Sequence, residues 1–342
     1  MKRLLLIGAG HAHLVVLRSL AQKPLYGARI TLVNPHASQV YSGMLPGILA
    51  GHYRRAEAEI DIRALAERGY VELVQGAVER LDIAKRRAHL KDGRSFPYDY
   101  ASLNVGSMID AALPGAEHAL PVKPYDDFLA RLRIAERVAV VGAGVAGAEL
   151  AMALRHRGAA VTLYSDKPQL PPRVVKQLRR RRVDYRPGMP VTAIERGPVV
   201  IAGSARQEFE LALLATGAAA LPWLRQCGLD TDERGFVLVQ PTLQSVSHPE
   251  IFALGDCATL RAAPHPRSGV YAVRHGEALN ENLRRLLAGT PLQPYVPQKR
   301  ALILLTCGAR YAIVQRGAWS TQGRWAWWWK DRIDRGWVRS FA

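Results

Sequence analysis

Cysteine is scarce in this chain. Its 342 residues include three, Cys227, Cys257 and Cys307, far apart and with no CxxC or CxxxxC spacing. Neither a disulfide framework nor a metal site is expected, and a reducing, cytoplasmic compartment is the natural inference. Long apolar runs are also missing. No uninterrupted stretch approaches the ~18 residues of a membrane span. Leu4 to Ile7, behind Lys2 and Arg3, is too short for a signal peptide and runs straight into a glycine loop. Any meeting with a membrane would be peripheral. Acidic residues are the third shortage: 29 Asp and Glu against 47 Lys and Arg leave a net charge of +18. Such a field attracts dinucleotide phosphates, anionic lipid headgroups or nucleic acid. The runs Arg54-Arg55, Lys85 to Arg87 and Arg179 to Arg182 are dispersed, as solvated faces are, and no nucleic-acid motif accompanies them. A composition 49% hydrophobic and 22% charged fits a globular enzyme, and the length favours two domains.

What is present is a duplication. Leu4 to Ile7 reads as a short strand, followed by Gly8-Ala9-Gly10, a helical segment His13 to Leu20 and a second strand, Arg29 to Val33. Val138 to Val141 repeats the order with Gly142 to Gly147, a helix through Arg155 and the strand Ala160 to Tyr164. Each is a βαβ unit. Tyr98 to Ser107, closing on Gly106-Ser107, and Glu210 to Gly217 are matching apolar strands that end in small-residue turns. The expected fold class is α/β, with two Rossmann-like dinucleotide-binding domains of the FAD/NAD(P)-binding, glutathione-reductase-like kind and a short C-terminal strand and helix segment. The expected boundaries are 1–115, 116–234, 235–296 and 297–342. Leu113 to Tyr125, with three prolines, reads as a linker, and Pro291, Pro294 and Pro297 mark the last boundary.

A strand turning into a helix leaves free N–H groups that, with the helix dipole, hold a pyrophosphate, and glycine lets the phosphate approach the backbone. In the first loop Gly8 and Gly10 take the first two positions, with Ala9, His11 and Ala12 beside them, but His13 stands where a glycine or alanine is usual. The next strand ends in Asn34-Pro35: Asn34 can bond a ribose hydroxyl without charge, or the pair can simply turn the chain. The second loop is complete, with Gly142, Gly144 and Gly147, and Glu149 follows within the first turns of the helix. The matching strand ends in Ser165, then Asp166 and Lys167, which leaves NADH and NADPH both open.

These residues resemble the thiol-independent branch of the pyridine-nucleotide-disulfide oxidoreductase superfamily, which contains type II NAD(P)H:quinone dehydrogenases and sulfide:quinone oxidoreductases. The stretches GAGHAHLVVL, YSGMLPGILAGHY, GVYAVRHGEALNENL and GRWAWWWKDRID are similar to dehydrogenase-like flavoproteins found alone or fused ahead of selenophosphate synthetase. The resemblance implies FAD in the first fold and NADH or NADPH in the second, inserted one. It implies that Asp256, in IFALGDCA, bonds a ribityl hydroxyl while Gly255 lets the strand end approach the pyrophosphate. The helix of Gly269 to Ala278 would face the flavin's pyrimidine edge, chiefly through Tyr271 and Ala272. Val78, on a strand beginning near Val71, would contact adenine through its backbone.

Where disulfide-reducing relatives carry a cysteine pair, this chain has Tyr41 to Gly47 (YSGMLPG). The flavin would therefore carry the electrons itself, from NAD(P)H to an acceptor on its other face. Glu149 would orient the reacting rings, or equally cap its helix or face solvent, and Lys123 would approach the flavin from the domain junction. Trp325, Trp329, Ile333, Trp337 and Phe341 recur every four residues, with Lys330, Asp331, Asp334 and Arg335 pointing elsewhere. Such a helix suits the inner face of an anionic cytoplasmic membrane, where quinones are reached, or equally a packed position against the body or the second subunit of a homodimer. The leading expectation is an FAD-dependent NAD(P)H dehydrogenase acting on a quinone or similar small acceptor. The alternatives are a flavoprotein acting on a sulfur or selenium compound, or a non-catalytic FAD-binding partner module.

Overall fold

In the computed structural model, which describes residues 1–342, the two βαβ patterns become two parallel sheets of five strands. The first runs Ile251–Ala253, Tyr100–Leu103, Lys2–Ile7, Ala28–Asn34, Glu72–Gln75. The second runs Leu120–Pro121, Leu211–Leu214, Arg137–Val141, Ala160–Tyr164, Asp184–Arg186. Parallel strands covered on both faces read as continuous apolar runs. In Lys2–Ile7 the alternation is resolved by face. Leu4 and Leu6 join the cluster that includes Leu17, Leu32 and Leu283, whereas Leu5 and Ile7 join Val33, Leu103 and Val237 on the opposite side.

Three features depart from the expectations above. The supposed linker contributes a strand, since Leu120 and Pro121 pair with Leu213 and Leu214 at the edge of the second sheet. The segment after Val71 is two strands, because Gly76 separates Glu72–Gln75 from Val78–Asp82, and the latter opens an antiparallel three-stranded meander. A second meander, Val191–Glu195, Val199–Ala202 and Ala205–Glu208, occupies the same place in the second unit. Finally, Leu224 and Leu229 pack into the first unit's core, so the chain re-enters that unit ahead of Gly235.

The first-loop helix, His11–Gln22, crosses the long helix Gly269–Leu287 at very short range. Gly276 makes this contact, for a Cβ there would stand 2.4 Å from the Ala12 carbonyl oxygen and 2.8 Å from Val15 Cβ. The C-terminal part is a meander, Leu302–Cys307, Ala309–Arg316 and Trp319–Gly323, followed by the helix Arg324–Arg339. Leu305, Cys307 and Ile313 from this meander lie in the second unit's core. No helix is long and apolar enough to cross a membrane.

Gly276→Ala is expected to destabilise the fold by about 1–3 kcal/mol in urea unfolding, because neither helix backbone can yield to the added carbon. Gly336→Ala, in a helical site with open space around it, is expected to raise stability by about 0.5–1 kcal/mol through helix propensity alone. Equal effects of the two would remove the close-crossing argument.

Candidate functional site

In open parallel sheets, ligands bind beyond the carboxyl ends of the strands. At that end of the first sheet Gly8 turns at φ 82°. A Cβ on Gly8 would lie 2.7 Å from the Asn104 carbonyl oxygen, and one on Gly10 2.5 Å from Asn104 Oδ1. Asn104 is thus the reason for both glycines. Its Oδ1 accepts from His13 N (3.1 Å), its Nδ2 donates to Leu254 O (3.1 Å), and its own carbonyl accepts from Gly10 N (3.3 Å). Gly8 N is bonded to Val33 O and Ala9 N to Asn34 Oδ1. That leaves the amides of His11 and Ala12, at the first two helical positions, without a partner, as an anion-holding helix start requires.

His13, the residue out of pattern, is completely buried. Its Nδ1–H donates to Gly8 O (2.5 Å) and its Nε2 accepts from Ser102 Oγ (2.8 Å), so it fills with hydrogen bonds the place where a smaller residue would let helix and strand touch. Asn34 is buried with Oδ1 on Ala9 N and Nδ2 on His36 O. A ribose would have to use its second lone pair or second hydrogen. Gly76 N donates to Asn34 O (3.0 Å), which brings Val78, two residues on, to the same end of the sheet.

Asp256 and Gly255 follow the Ile251–Ala253 strand, and Gly255 N donates to the buried His275 Nδ1 (3.1 Å). Asp256 Oδ2 accepts from Lys123 Nζ (2.8 Å) and from Ser107 Oγ (3.3 Å). Burial opposes its ionisation, but the Lys123 ammonium and these hydrogen bonds outweigh it and hold the carboxyl below its ordinary range. The long helix starts at Gly269, so Ala272 N is already committed to Ser268 O (3.1 Å). The free amides at this helix start are those of residues 269–271, among them that of Tyr271 but not that of Ala272. The Tyr271 ring itself turns inward onto His265, with centroids 4.3 Å apart.

The second loop mirrors the first. Gly142 has φ 106°, and a Cβ on Gly147 would collide with Gly142 O at 1.9 Å. Gly144, Val145 and Ala146 are exposed at the helix start, and Gly217 ends the neighbouring strand at φ 132°. The Ser165 hydroxyl closes its own turn with Lys167 N and O. Glu149 neither caps its helix nor faces solvent: its Oε1 accepts from Thr306 N (2.7 Å) and Thr306 Oγ1 (2.8 Å), tying the second-loop helix to the C-terminal meander. Burial pushes this carboxyl up against the opposing pull of Lys330 and Thr306.

The C-terminal helix turns part of its charged side inward and part of its tryptophan stripe outward. Lys330 and Asp334 are buried, with Lys330 Nζ donating to Gly43 O (2.7 Å) and to Asp334 Oδ2 (2.5 Å). Tyr41 faces Asp334, and burial first, then that carboxylate, push its hydroxyl up. Asp331 accepts from Tyr53 Oη and Arg335 Nε. Trp325, Trp328 and Trp329 are 51%, 52% and 40% exposed. The reason is helical geometry: a step of four residues overshoots a turn by about 40°, so the stripe begins outward at Trp325 and winds inward to Trp337 and the buried Phe341. No thiol lies at Tyr41 to Gly47. Cys257 and Cys307 are buried, their thiols pushed up to about 11 and about 12 by burial.

Of the residues singled out in sequence, the first sheet's carboxyl end collects Gly8 to Ala12, Asn34, Ser107, Gly255, Asp256 and Tyr271. The second collects Gly142, Gly144, Gly147, Ser165 and Gly217. Asn104, Ser102 and His275 escaped notice, for nothing local marks a polar residue inside an apolar strand or helix as a clamp. Two free amides beside glycines, a buried carboxylate and a second helix start fit an extended dinucleotide on the first sheet.

Burial pushes His13 down to about 4 despite its bond to Gly8, whereas in the unfolded chain it titrates near 6.5. The unfolded state therefore binds the extra proton, and stability is lost as pH falls from about 6.5 toward 4, by up to about 3 kcal/mol. His13→Gln is expected to flatten urea-unfolding stability across that window. An unchanged slope would contradict a neutral buried imidazole.

The chain matches the family model for pyridine nucleotide-disulphide oxidoreductases over residues 2–276. It is 30% identical over 322 residues to the nitric oxide reductase FlRd-NAD(+) reductase of Aeromonas salmonicida, covering 86% of this chain and 79% of that one. The Aeromonas hydrophila protein of that name is 35% identical over 191 residues, and there the match spans about half of each, 50% and 48%. The NADH dehydrogenase-like protein YutJ of Bacillus subtilis is 25% identical over 87% of both chains. Among solved structures, the sulfide:quinone oxidoreductase of Aquifex aeolicus superposes with a TM-score of 0.81 at 16% identity, covering 100% of this chain and 91% of that one, a likeness of fold. The chain belongs to the pyridine nucleotide-disulphide oxidoreductase family, as an FAD-dependent oxidoreductase that works with NADH or NADPH.

Proposed function

We propose that the chain takes reducing equivalents from NADH or NADPH and passes them, without a redox disulfide, to a quinone or similar small acceptor at a membrane surface. The observation that carries this reading is the absence of a thiol from Tyr41 to Gly47, where protonatable groups stand instead. FAD held there would supply the two-electron redox chemistry that links a nicotinamide donor to the acceptor.

The chain's own residues bind and orient. The amides of His11 and Ala12 would receive the FAD pyrophosphate and Asp256 a ribityl hydroxyl, and the positive end of the Gly269–Leu287 helix would favour the negative charge that reduction adds. Val78, Gly106 and Ser107 would border the same cofactor, while Gly142, Gly144, Gly147, Ser165 and Gly217 would seat the nicotinamide nucleotide. A quinone taking two electrons also needs two protons. Glu149 and the Lys330, Asp334 and Tyr41 group are protonatable side chains beside the Tyr41 to Gly47 loop, suited to supplying them.

The outward face of the C-terminal helix carries Trp325, Trp328 and Trp329 together with Arg324, Arg332 and Arg339. Tryptophan beside arginine suits the interfacial zone of an anionic bilayer, and these three rings stay exposed although Trp325 stacks on Trp329 and Trp328 meets the buried Trp327 edge-on. The sulfur or selenium alternative has less support, because the buried cysteines offer no reactive thiol to carry the atom.

Two experiments test the reading. Anaerobic addition of NADH or NADPH is expected to bleach the flavin band, and a quinone analogue to restore it; a flavin that neither nucleotide bleaches ends the proposal. In flotation assays the protein is expected to bind vesicles containing anionic lipid and to leave them as salt rises. Trp325→Ser with Trp328→Ser and Trp329→Ser is expected to weaken that binding by about tenfold or more; binding that ignores the three substitutions would discard the membrane part alone.

A further inference from the structure

One buried ion pair crosses from the second unit into the first. Lys123 leaves the edge strand Leu120–Pro121 of the second sheet, directly after Val122 N donates to Leu214 O (3.1 Å). Its ammonium reaches Asp256 Oδ2 at 2.8 Å and Ser107 Oγ at 3.0 Å, both in the first unit. The two charged side chains are only 19% and 20% exposed, and the Tyr125 ring lies 5.9 Å from the ammonium. Exposed pairs contribute little, and burying one costs desolvation that mutual attraction barely offsets, whereas removing one partner strands the other charge. Stability alone is therefore a poor reason for this pair. Lys123 and Ser107 both engage Oδ2, and Asp256 Oδ1 has no partner within the protein.

We propose that Lys123 is the positioning residue of the flavin site: it fixes the Asp256 carboxylate by Oδ2, leaves Oδ1 for the cofactor's sugar-alcohol chain, and offsets a negative charge that would oppose flavin reduction. This rests on the reading that Asp256 holds FAD. Reduction by two electrons and one proton adds a negative charge to the flavin ring. A carboxylate without its counter-ion in a poorly solvated crevice disfavours that charge, and an ammonium beside it removes the penalty. Because the lysine is carried by the second unit, the pair also ties the flavin's anchor to the nicotinamide half.

The test is reductive titration of the FAD-loaded protein with dithionite against a reference dye, alongside the Kd for FAD. Lys123→Met is expected to shift the two-electron equilibrium toward oxidised flavin by about tenfold, about 30 mV, and Lys123→Arg by less than about threefold. The Lys123→Met, Asp256→Asn double variant, titrated with excess FAD, is expected to return toward the wild-type potential, since both charges are gone. Its readout also stands if the single methionine variant fails to fold. A Lys123→Met potential equal to wild type, or a double variant as low as the single one, overturns the proposal. Asp256→Asn is expected to weaken FAD binding by about tenfold or more. Wild-type affinity in that variant would instead remove the reading of Asp256 on which the proposal stands.

Discussion

The Asn104 carboxamide binds three strand ends of the first sheet into a single floor. It joins the glycine-loop helix through His13 N, the last strand through Leu254 O and, by its own backbone, Gly10 N. The free amides of His11 and Ala12 and the Gly255-Asp256 turn follow directly on those points. A side chain at Gly8 or Gly10 would strike Asn104, so the glycines serve the packing of the floor as well as the approach of a phosphate. His13 continues the clamp from the helix side to Gly8 O and Ser102 Oγ. Buried polar groups satisfied this fully specify one arrangement, because any slip would strand several of them together.

The second unit reuses the same physics with less intervention. Gly147 sits against Gly142 O with no room for a methyl, so helix and strand touch directly and need no polar clamp. The two units meet through Lys123 and Asp256, and the C-terminal meander is joined to the second through Glu149 and Thr306. Three separate parts of the chain are thereby fastened to one another by polar contacts.

The C-terminal helix inverts the usual amphipathic rule. Burying Lys330 and Asp334 costs desolvation, which their mutual contact and the Gly43 carbonyl offset. Trp327 is sealed inside beside them, while Trp325, Trp328 and Trp329 are displayed. A helix oriented this way carries a buried ion pair on its inner side and exposed tryptophans on its outer side.

Much of this was legible in the residues. Both glycine loops and their flanking strands and helices follow from local pattern, because a strand's apolar run and a glycine's need for space are properties of a few neighbouring residues, while the meaning of Gly255-Asp256 and of the missing thiol pair comes from the family resemblance. The Leu120–Pro121 strand, the break at Gly76, the early return through Leu224 and the outward turn of Trp328 were not legible. Nor were Asn104 as a clamp, His13 as a hydrogen-bonded spacer, or Asp256 as the partner of Lys123, 133 positions away. Such pairings depend on strand order and helix rotation, which bring distant residues together only after the sheets have formed. A repeat of four residues marks a helix in sequence, yet its 40° drift per step leaves to packing which end of the stripe is buried.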